Sequence, residues 1–215
     1  MRWSGALARG MQQSVLLPIS TNHQSCNDQK MPTRRVLVLF AHPALQKSRL
    51  NVRLAAAART VAGVTVHDLY EAYPSFHINV KREQQLLHEH DVIVLQYPFF
   101  WYSCPALLKE WLDLVLEYGF AYGPGGTALH GKALMSALTT GGSAPAYSRE
   151  GHNHFTMAEL LSPMEQTARL CGFTWLPPFV VHGTIHLTDP AAIAQQASEY
   201  AARLATLRDA KPTAK

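Results

Sequence analysis

Three short segments of this 215-residue chain combine residue types that could bind a small-molecule ligand. The first contains His42, Ser48 and Asn51, and it lies in a stretch, residues 41–67, that has four basic residues and no Asp or Glu. Helix starts usually favour acidic residues because the positive end of the helix dipole attracts them. With Ser48 as N-cap, this acid-free start predicts a site for an external phosphate. The alternative interpretation is an ordinary capping serine beside a structural histidine.

The second segment is the aromatic run Tyr97-Pro98-Phe99-Phe100-Trp101-Tyr102, with five aromatic residues in six positions. Such a cluster is also typical of a hydrophobic core or a subunit contact, because aromatic rings bury large areas in both. Its place directly after an apolar, strand-like run favours a different interpretation. It predicts a wall on which a planar ligand stacks.

The third segment, Thr139-Thr140-Gly141-Gly142, sets two hydroxyl groups beside two glycines. Glycine lets the backbone approach a ligand closely, so that backbone N–H groups can reach its heteroatoms. Alone the segment could be a bare turn. Together the three segments predict a phosphate end, a stacking wall and a polar backbone edge, a combination that fits flavin mononucleotide (FMN).

Each of these segments follows a predicted strand. Strand-length apolar runs alternate with helical patterns, and continuous apolar strands are typical of a parallel sheet covered by helices on both faces. The predicted strands cover residues 36–40, 64–69, 91–96, 132–138 and 174–181. The predicted helices cover residues 48–61, 81–88, 105–117, 162–171 and 190–207. The fold class is therefore α/β and doubly wound, and its ligands bind at the carboxyl ends of the strands.

Details of the later elements are also predictable. Ser162-Pro163-Met164-Glu165 matches a capping box that starts a helix, and Gly172 suits the end of that helix. Pro177-Pro178 should interrupt the fifth strand or place it at a sheet edge. Asp189-Pro190 predicts the start of the last helix.

Motifs of other doubly wound proteins are missing from the sequence. No G-x-G-x-x-G follows the first strand, and no Walker A sequence occurs. The strand ends lack the carboxylates of a phosphoacceptor receiver, and Gly141-Gly142-Ser143-Ala144-Pro145 does not match a nucleophile elbow. These classes are excluded in favour of the flavin site.

The amino-acid composition excludes several further classes of protein. The chain is 47% hydrophobic and 16% charged, which excludes a disordered or collagen-like protein. Cys26, Cys104 and Cys171 are too few and too widely spaced for a disulfide scaffold or a zinc site, and they fit a reducing compartment. We expect no metal site. No apolar run is long enough to span a membrane.

The net charge of +4 is concentrated at the N-terminus. Residues 1–35 hold five basic residues and one acidic residue, whereas the rest of the chain is balanced, so the charge does not argue for a nucleic-acid partner. Residues 1–33 have no sustained period and are expected to be irregular. They lack the apolar core of a secretory signal and weakly resemble a mitochondrial transit peptide. We favour a non-essential extension, with Met31 as the natural start.

Residues 34–208 are predicted to form one domain, followed by a disordered tail, 209–215. This body resembles the flavodoxin-like NAD(P)H:quinone oxidoreductases, and it is especially similar to the ancillary proteins of bacterial glutathione-regulated potassium-efflux antiporters. The resemblance rests on several stretches that extend from about residue 35 to residue 207. They are Ala41-His42-Pro43 to Asn51, residues 66–70, residues 101–105, residues 107–113, residues 119–132, residues 139–142, residues 171–173, and residues 176–178.

The resemblance implies a five-stranded flavodoxin-like sheet of order 2-1-3-4-5. It implies FMN, with FAD as an alternative, and transfer of two electrons from NAD(P)H to a quinone or another electrophilic acceptor. It also implies a homodimer, and a cytoplasmic location that can include the inner face of the membrane beside an antiporter partner. The residues that it implies for flavin binding are His42, Ser48, Arg49, Leu50, Asn51, Phe99, Phe100, Trp101, Tyr102, Thr139, Thr140, Gly141 and Gly142.

One motif departs from the family pattern. Quinone reductases of this type use a tyrosine and a histidine six residues apart to stabilise charge on the reduced flavin. Here Tyr147 fits, but position 153 is Asn153, between His152 and His154. Tyr147, His152 and His154 are therefore the candidate catalytic residues, and the two histidines could equally be exposed loop residues.

Three functions are weighed on these grounds. The first is an FMN-dependent quinone oxidoreductase, and the second is a regulatory subunit of a potassium-efflux antiporter, with or without redox activity. The third, an electron carrier without an open substrate site, fits the aromatic and glycine-rich loops least well. The sequence leaves the choice between NADH and NADPH open.

Overall fold

The computed structural model describes residues 33–211, and these residues form alternating strands and helices. The strands are β1 (Val36–Phe40), β2 (Val64–Asp68), β3 (Val92–Pro98), β4 (Ala133–Thr139), β5 (Thr174–Trp175) and β6 (Phe179–Val181). The helices are α1 (Arg49–Thr60), α2 (Leu69–Ala72), α3 (Val80–Glu89), α4 (Ala106–Val115), α5 (Met157–Leu160), α6 (Ser162–Leu170) and α7 (Pro190–Asp209). The predicted extension 1–33 and tail 209–215 lie mostly outside the described residues.

The sheet is parallel, and its order is β2-β1-β3-β4, with β5 and β6 both beside β4. The predicted flavodoxin-like order 2-1-3-4-5 is confirmed. The order reverses between β1 and β3, which pair along their length from Val36 with Val92 to Phe40 with Gln96. A crevice is expected outside the carboxyl ends of the strands at such a reversal.

The central strands are predominantly apolar because both faces of the sheet are covered. Every residue of β1, β3 and β4 is buried. One face packs against α2, α3, α4 and α6, and the other packs against α1 and α7. Side chains of one strand alternate between the two cores, as Leu37 and Val38 do in β1. This rigid sheet fixes the positions of the loops at its carboxyl edge.

The fifth predicted strand is divided in two at Pro177-Pro178, as expected. Thr174 and Trp175 pair with the beginning of β4, and Phe179–Val181 pairs with its end. Proline has no N–H to donate to a ladder, so pairing stops and resumes beyond it. This edge of the sheet is therefore interrupted in its middle.

The predicted capping box at Ser162 is wrong. Ser162 is already helical in α6, and no side chain caps that helix. The capping box lies earlier, in α5, where the Thr156 and Glu159 side chains bond each other's backbone N–H groups. The two short helices are consecutive, so the first cap serves the whole segment. Gly172, with φ of 75°, ends α6 as predicted.

A buried carboxylate ties three helices and a strand together on one face of the sheet. Glu83 of α3 is fully buried and accepts hydrogen bonds from His67 Nε2 at 2.9 Å, Tyr73 Oη at 2.5 Å and Trp111 Nε1 at 2.8 Å. Burial alone would raise the pKa of Glu83, but these hydrogen bonds outweigh it and leave the pKa below its ordinary value. Burial and the bond to Glu83 raise the pKa of Tyr73 to about 12.

Within residues 33–211, no helix is both long enough and apolar enough to cross a bilayer. The same residues contain no group of three or more His, Cys, Asp or Glu side chains arranged to hold a metal ion.

Candidate functional site

A cleft of about 490 Å³ lies at the carboxyl ends of β1, β3 and β4, where the strand order reverses. Nine of the thirteen residues predicted for flavin binding line it. They are His42, Ser48, Arg49, Leu50, Asn51, Phe99, Phe100, Thr139 and Gly141. The first, second and third predicted segments therefore meet in one cavity, as their places after neighbouring strands require.

One end of the cleft is the start of α1. Ser48 caps the helix by accepting a hydrogen bond from the Asn51 N–H at 3.0 Å, and the first turn contains no acidic residue. The Asn51 side chain is buried and donates to Thr139 Oγ1 at 3.0 Å, which joins the helix start to the end of β4. The amides of Arg49 and Leu50 precede the first intrahelical hydrogen bond, so they are free to bind an anion.

His42, at the end of β1, is held in its neutral form. Its Nδ1 accepts a hydrogen bond from the Ala44 N–H at 3.2 Å, so the ring proton belongs on Nε2. Burial lowers the pKa of His42 below its ordinary value. The ring also contacts Phe100 edge-on, with 6.1 Å between centroids. His42 thus supplies a neutral N–H donor to the wall of the cleft.

The aromatic segment forms a tight turn beyond β3. Ser103 N–H donates to Phe100 O at 3.0 Å across the turn, and the central residues Trp101 and Tyr102 have φ of 50° and 59°. Positive φ at both central positions is the type I′ geometry, which usually requires Asn and Gly. Trp101 is 93% exposed. The backbone of the turn is therefore strained, and in this conformation it exposes large aromatic rings to solvent beside the cleft.

A second, smaller cavity of about 300 Å³ adjoins the turn. Phe99, which also lines the cleft, is shared between the two cavities. The other residues lining the smaller cavity are Trp101, Tyr102, Gly142, Tyr147, His152 and Asn153. Tyr102 Oη donates to Asn153 Oδ1 at 3.1 Å. Of the candidate catalytic residues, the structure brings Tyr147 and His152 to this cavity, whereas His154 lines neither cavity.

The two glycines after β4 allow close packing. A Cβ on Gly141 would lie 2.9 Å from Ile185 Cδ1, and one on Gly142 would lie 3.2 Å from the Tyr147 ring. Both neighbours therefore pack directly on the backbone at this edge of the site. Thr140 is not among the residues that line the cleft, and its hydroxyl donates to Gly142 O at 2.8 Å.

Several lining residues are missing from the sequence-based prediction. Lys47 and Ala44 precede α1, Pro98 ends β3, and three more follow β6. The three after β6 are Thr184, Ile185 and Leu187. Arg49 Nη2 donates to Ile185 O at 3.4 Å, which connects this loop to the helix start. The sequence could have predicted these three residues. The carboxyl ends of parallel strands lie at the same edge of the sheet, so the loop after the fifth predicted strand must lie at that edge too.

The polar groups of the cleft fit a flavin nucleotide. Asn51 Oδ1 is buried and has no hydrogen-bond partner among the described residues, so an acceptor remains for a ligand hydroxyl. The acid-free start of α1, flanked by Lys47 and Arg49, suits a phosphate. Phe99 and Phe100 supply an apolar surface of the size that a ring system needs.

Sheet order and the placing of a ligand cleft at the strand reversal define a flavodoxin-like protein. A model of the Flavodoxin_2 family, described as having a flavodoxin-like fold, matches residues 34–204. The chain belongs to this family.

Several proteins align with this chain over nearly the whole domain. The chain is 49% identical to the glutathione-regulated potassium-efflux system ancillary protein KefG of Pectobacterium carotovorum, over 80% of this chain and 93% of that protein. Two crystal structures are also similar. General stress protein 14 of Treponema denticola, in complex with FMN, is 39% identical with a TM-score of 0.76 and covers 80% of this chain and 99% of its own. An NADPH-quinone reductase from P. pentosaceus is 35% identical with a TM-score of 0.71, covering 79% and 96%.

Proposed function

We propose that this protein is an FMN-holding ancillary protein of a glutathione-regulated potassium-efflux system. The observation that carries the proposal is the 49% identity to KefG along 93% of the length of that protein, in a chain in which nine of the thirteen predicted flavin residues line one cleft. The protein would act at the antiporter from the cytoplasmic side. The chemistry that FMN supplies when bound is two-electron redox chemistry, whereas the protein contributes binding and orientation.

Each part of the cleft has a distinct task in holding FMN. The start of α1 and the side chains of Ser48 and Arg49 would hold the phosphate, and the Asn51 amide oxygen would accept a hydrogen bond from a hydroxyl of the sugar chain. Phe99 and Phe100 exclude water from one side of the ring system. Neutral His42 donates from Nε2 without adding a positive charge to the pocket.

A second candidate function is NAD(P)H:quinone oxidoreductase activity. It is favoured by the smaller cavity beside the cleft, where Trp101, Tyr102 and Tyr147 leave about 300 Å³ for a planar substrate. A structural relative named an NADPH-quinone reductase supports this function. The Tyr147 hydroxyl and His152 are the groups there that can hold a proton near the reacting atoms. The two functions are compatible in one protein.

FMN binding can be tested with a variant that keeps the helix cap. Ser48→Asp retains an N-cap side chain but puts a carboxylate where the phosphate would bind. We expect the wild type to bind FMN, measured by quenching of flavin fluorescence, and Ser48→Asp to weaken binding by about a hundredfold at an unchanged melting temperature. Ser48→Thr is the matched control and should bind as the wild type does. A wild type that neither binds FMN nor purifies with a flavin spectrum contradicts the proposal.

The phosphate contact can be separated from the ring contact with riboflavin. Arg49→Gln should raise the Kd for FMN about tenfold, the usual effect of losing a charged hydrogen bond, and leave the Kd for riboflavin unchanged. Arg59→Gln, in the exposed last turn of the same helix, is the control. Equal losses for both ligands would place the phosphate elsewhere.

The role at the antiporter requires a measurement in cells. Electrophile-triggered potassium efflux through a glutathione-regulated antiporter should be faster when the full chain is co-expressed than without it. The Ser48→Asp variant then tells whether this effect needs bound FMN. Identical efflux with and without the chain contradicts the ancillary role, and quinone-dependent NAD(P)H oxidation by the purified protein tests the second function separately.

A further inference from the structure

His182, directly after β6, contacts two residues of the site, Thr140 and Tyr147, from outside the ligand space. Its Nδ1 lies 3.1 Å from Thr140 Oγ1, and its ring lies against the Tyr147 ring with 5.2 Å between centroids. His182 is half-buried and lines neither cavity. It therefore touches residues of the site without touching the ligand space itself.

The hydrogen bonds around Thr140 determine the tautomer of His182. Thr140 Oγ1 lies 2.8 Å from Gly142 O, and because a carbonyl oxygen can only accept, the hydroxyl proton points there. Thr140 Oγ1 must then accept from His182, so the proton of the neutral ring is on Nδ1 and Nε2 is unprotonated. Burial lowers the pKa of His182, which favours this neutral ring.

The same loop also binds the backbone of the glycine segment. Gly183 N–H donates to Gly142 O at 2.8 Å, and Thr184 donates to Thr140 O from both its N–H, at 3.0 Å, and its hydroxyl, at 3.1 Å. These hydrogen bonds fix the position of the backbone of residues 140–142 relative to the end of β4. Only His182 connects this loop, among its described contacts, to both the Thr140 side chain and the Tyr147 ring.

We propose that His182 is a positioning residue for the flavin edge of the site. Through its Nδ1–H it fixes the Thr140 hydroxyl and the carbonyl of Gly142, and through its ring it fixes Tyr147 against Gly142. This inference rests on the proposed function, because it assigns residues 140–142 and 147 to the FMN ring edge. It adds a residue that lies outside the ligand space and outside the predicted motifs.

The first test is FMN affinity, measured by fluorescence quenching on the full chain. His182→Ala should raise the Kd about tenfold, because a partly buried hydrogen bond and a ring contact are both lost. His182→Asn should restore binding to within about threefold, since its amide donates from nearly the position of Nδ1. His186→Asn, at an exposed histidine of the same loop, should bind as the wild type does.

The second test does not depend on FMN. Nitrogen-15 NMR of the imidazole rings in the full chain should show the His182 proton on Nδ1, and Thr140→Val should move it to Nε2. A His182 proton on Nε2 in the wild type overturns the inference, even if His182→Ala fails to fold. So does a wild type that binds FMN while His182→Ala binds equally well, or while His182→Asn binds as weakly as His182→Ala. A wild type that does not bind FMN overturns the proposed function, and the role assigned to His182 with it.

Discussion

At the residue scale, the molecule uses neutral and charged polar groups for different purposes. Neutral His42 and Asn51 line the cleft, and the buried Asn51 Oδ1 has no hydrogen-bond partner among the described residues. Glu83 instead lies far inside the domain with all its partners in place. A buried carboxylate that accepts three hydrogen bonds stabilises the fold only while it remains an acceptor for all three donors.

The Glu83 network makes a direct stability prediction. Glu83→Gln should lower the free energy of unfolding by about 3 kcal/mol, because the amide presents N–H groups to donors that already point at it. Urea unfolding at pH 7 measures this loss. Since the pKa of Glu83 is lowered in the fold, its contribution is present above a pH of about 4.3 and disappears as the pH falls through the folded pKa.

The difference between wild type and Glu83→Gln should therefore shrink under acidic conditions. Glu110→Gln, at an exposed glutamate of α4, is the control and should change stability by less than about 0.5 kcal/mol. A Glu83→Gln variant as stable as the wild type at pH 7 would show that the network contributes nothing.

At the element scale, the backbone conformation of the Trp101-Tyr102 turn lowers the stability of the fold and supplies aromatic rings to the proposed flavin site. Two bulky residues with positive φ each cost about 1–3 kcal/mol. The double change Trp101→Asn with Tyr102→Gly supplies the residues that this turn prefers. We expect the free energy of unfolding of the apoprotein to rise by about 2 kcal/mol while FMN affinity falls, because the ring wall is lost.

The comparison variant for the turn is Trp101→Phe, which keeps a ring and the same backbone strain. It should leave the stability of the apoprotein unchanged in the same thermal or urea unfolding experiment. If the double variant is no more stable than Trp101→Phe, the turn is not strained.

Elements were predictable where local pattern and burial agree. The three central strands are predominantly apolar and buried at every position, so their existence could be predicted from the sequence, and Ser48 was identifiable as the cap of α1. The capping box at Ser162 was wrong because a matching pattern at Thr156 begins the helical segment first. The Thr140 hydroxyl bonds both Gly142 O, two residues away, and His182, which is distant in sequence, and no local pattern encodes the second contact. Nor does a local pattern encode that His152 lines the smaller cavity whereas His154 lines neither cavity. The loop after β6 was missed although topology places it at the same edge.

At the scale of the whole molecule, two buried histidines and the half-buried His182 give stability a dependence on pH. Burial lowers the pKa of His42, His90 and His182, so the folded protein keeps them neutral while the unfolded chain protonates them below a pH of about 6.5. The unfolded state then binds more protons, and stability must fall as the pH decreases. Urea midpoints should be constant from pH 8 to 7 and decline between pH 6.5 and 5.

A single histidine variant checks this origin. His90→Asn keeps a donor toward Leu86 O, where His90 Nδ1 now lies at 2.7 Å, and removes one titrating group. The decline with pH should become less steep in this variant. A constant midpoint down to pH 5 in the wild type would contradict the assignment.

The described domain is expected to be self-sufficient. The family model begins at residue 34, and all lining residues of both cavities lie beyond it. A chain that starts at Met31 should therefore match the full chain in unfolding midpoint and in Kd for FMN, although it loses three of the five basic residues of the N-terminal segment, Arg2, Arg9 and Lys30. A weaker Kd in the shortened chain would assign residues 1–30 a part in the site.

The break in the ladder at Pro177-Pro178 also affects how copies of this protein meet. An uninterrupted edge strand offers a row of free N–H and C=O groups on which another chain can assemble as an extra strand, the first step toward aggregates. Here that edge consists of a two-residue and a three-residue segment, and the residues between them include Pro177 and Pro178, which have no N–H to donate. This side of the sheet is a poor template for strand addition. An assembly that uses this side of the sheet should therefore be held by side chains of the neighbouring helices and loops, whereas the opposite edge is the uninterrupted strand β2.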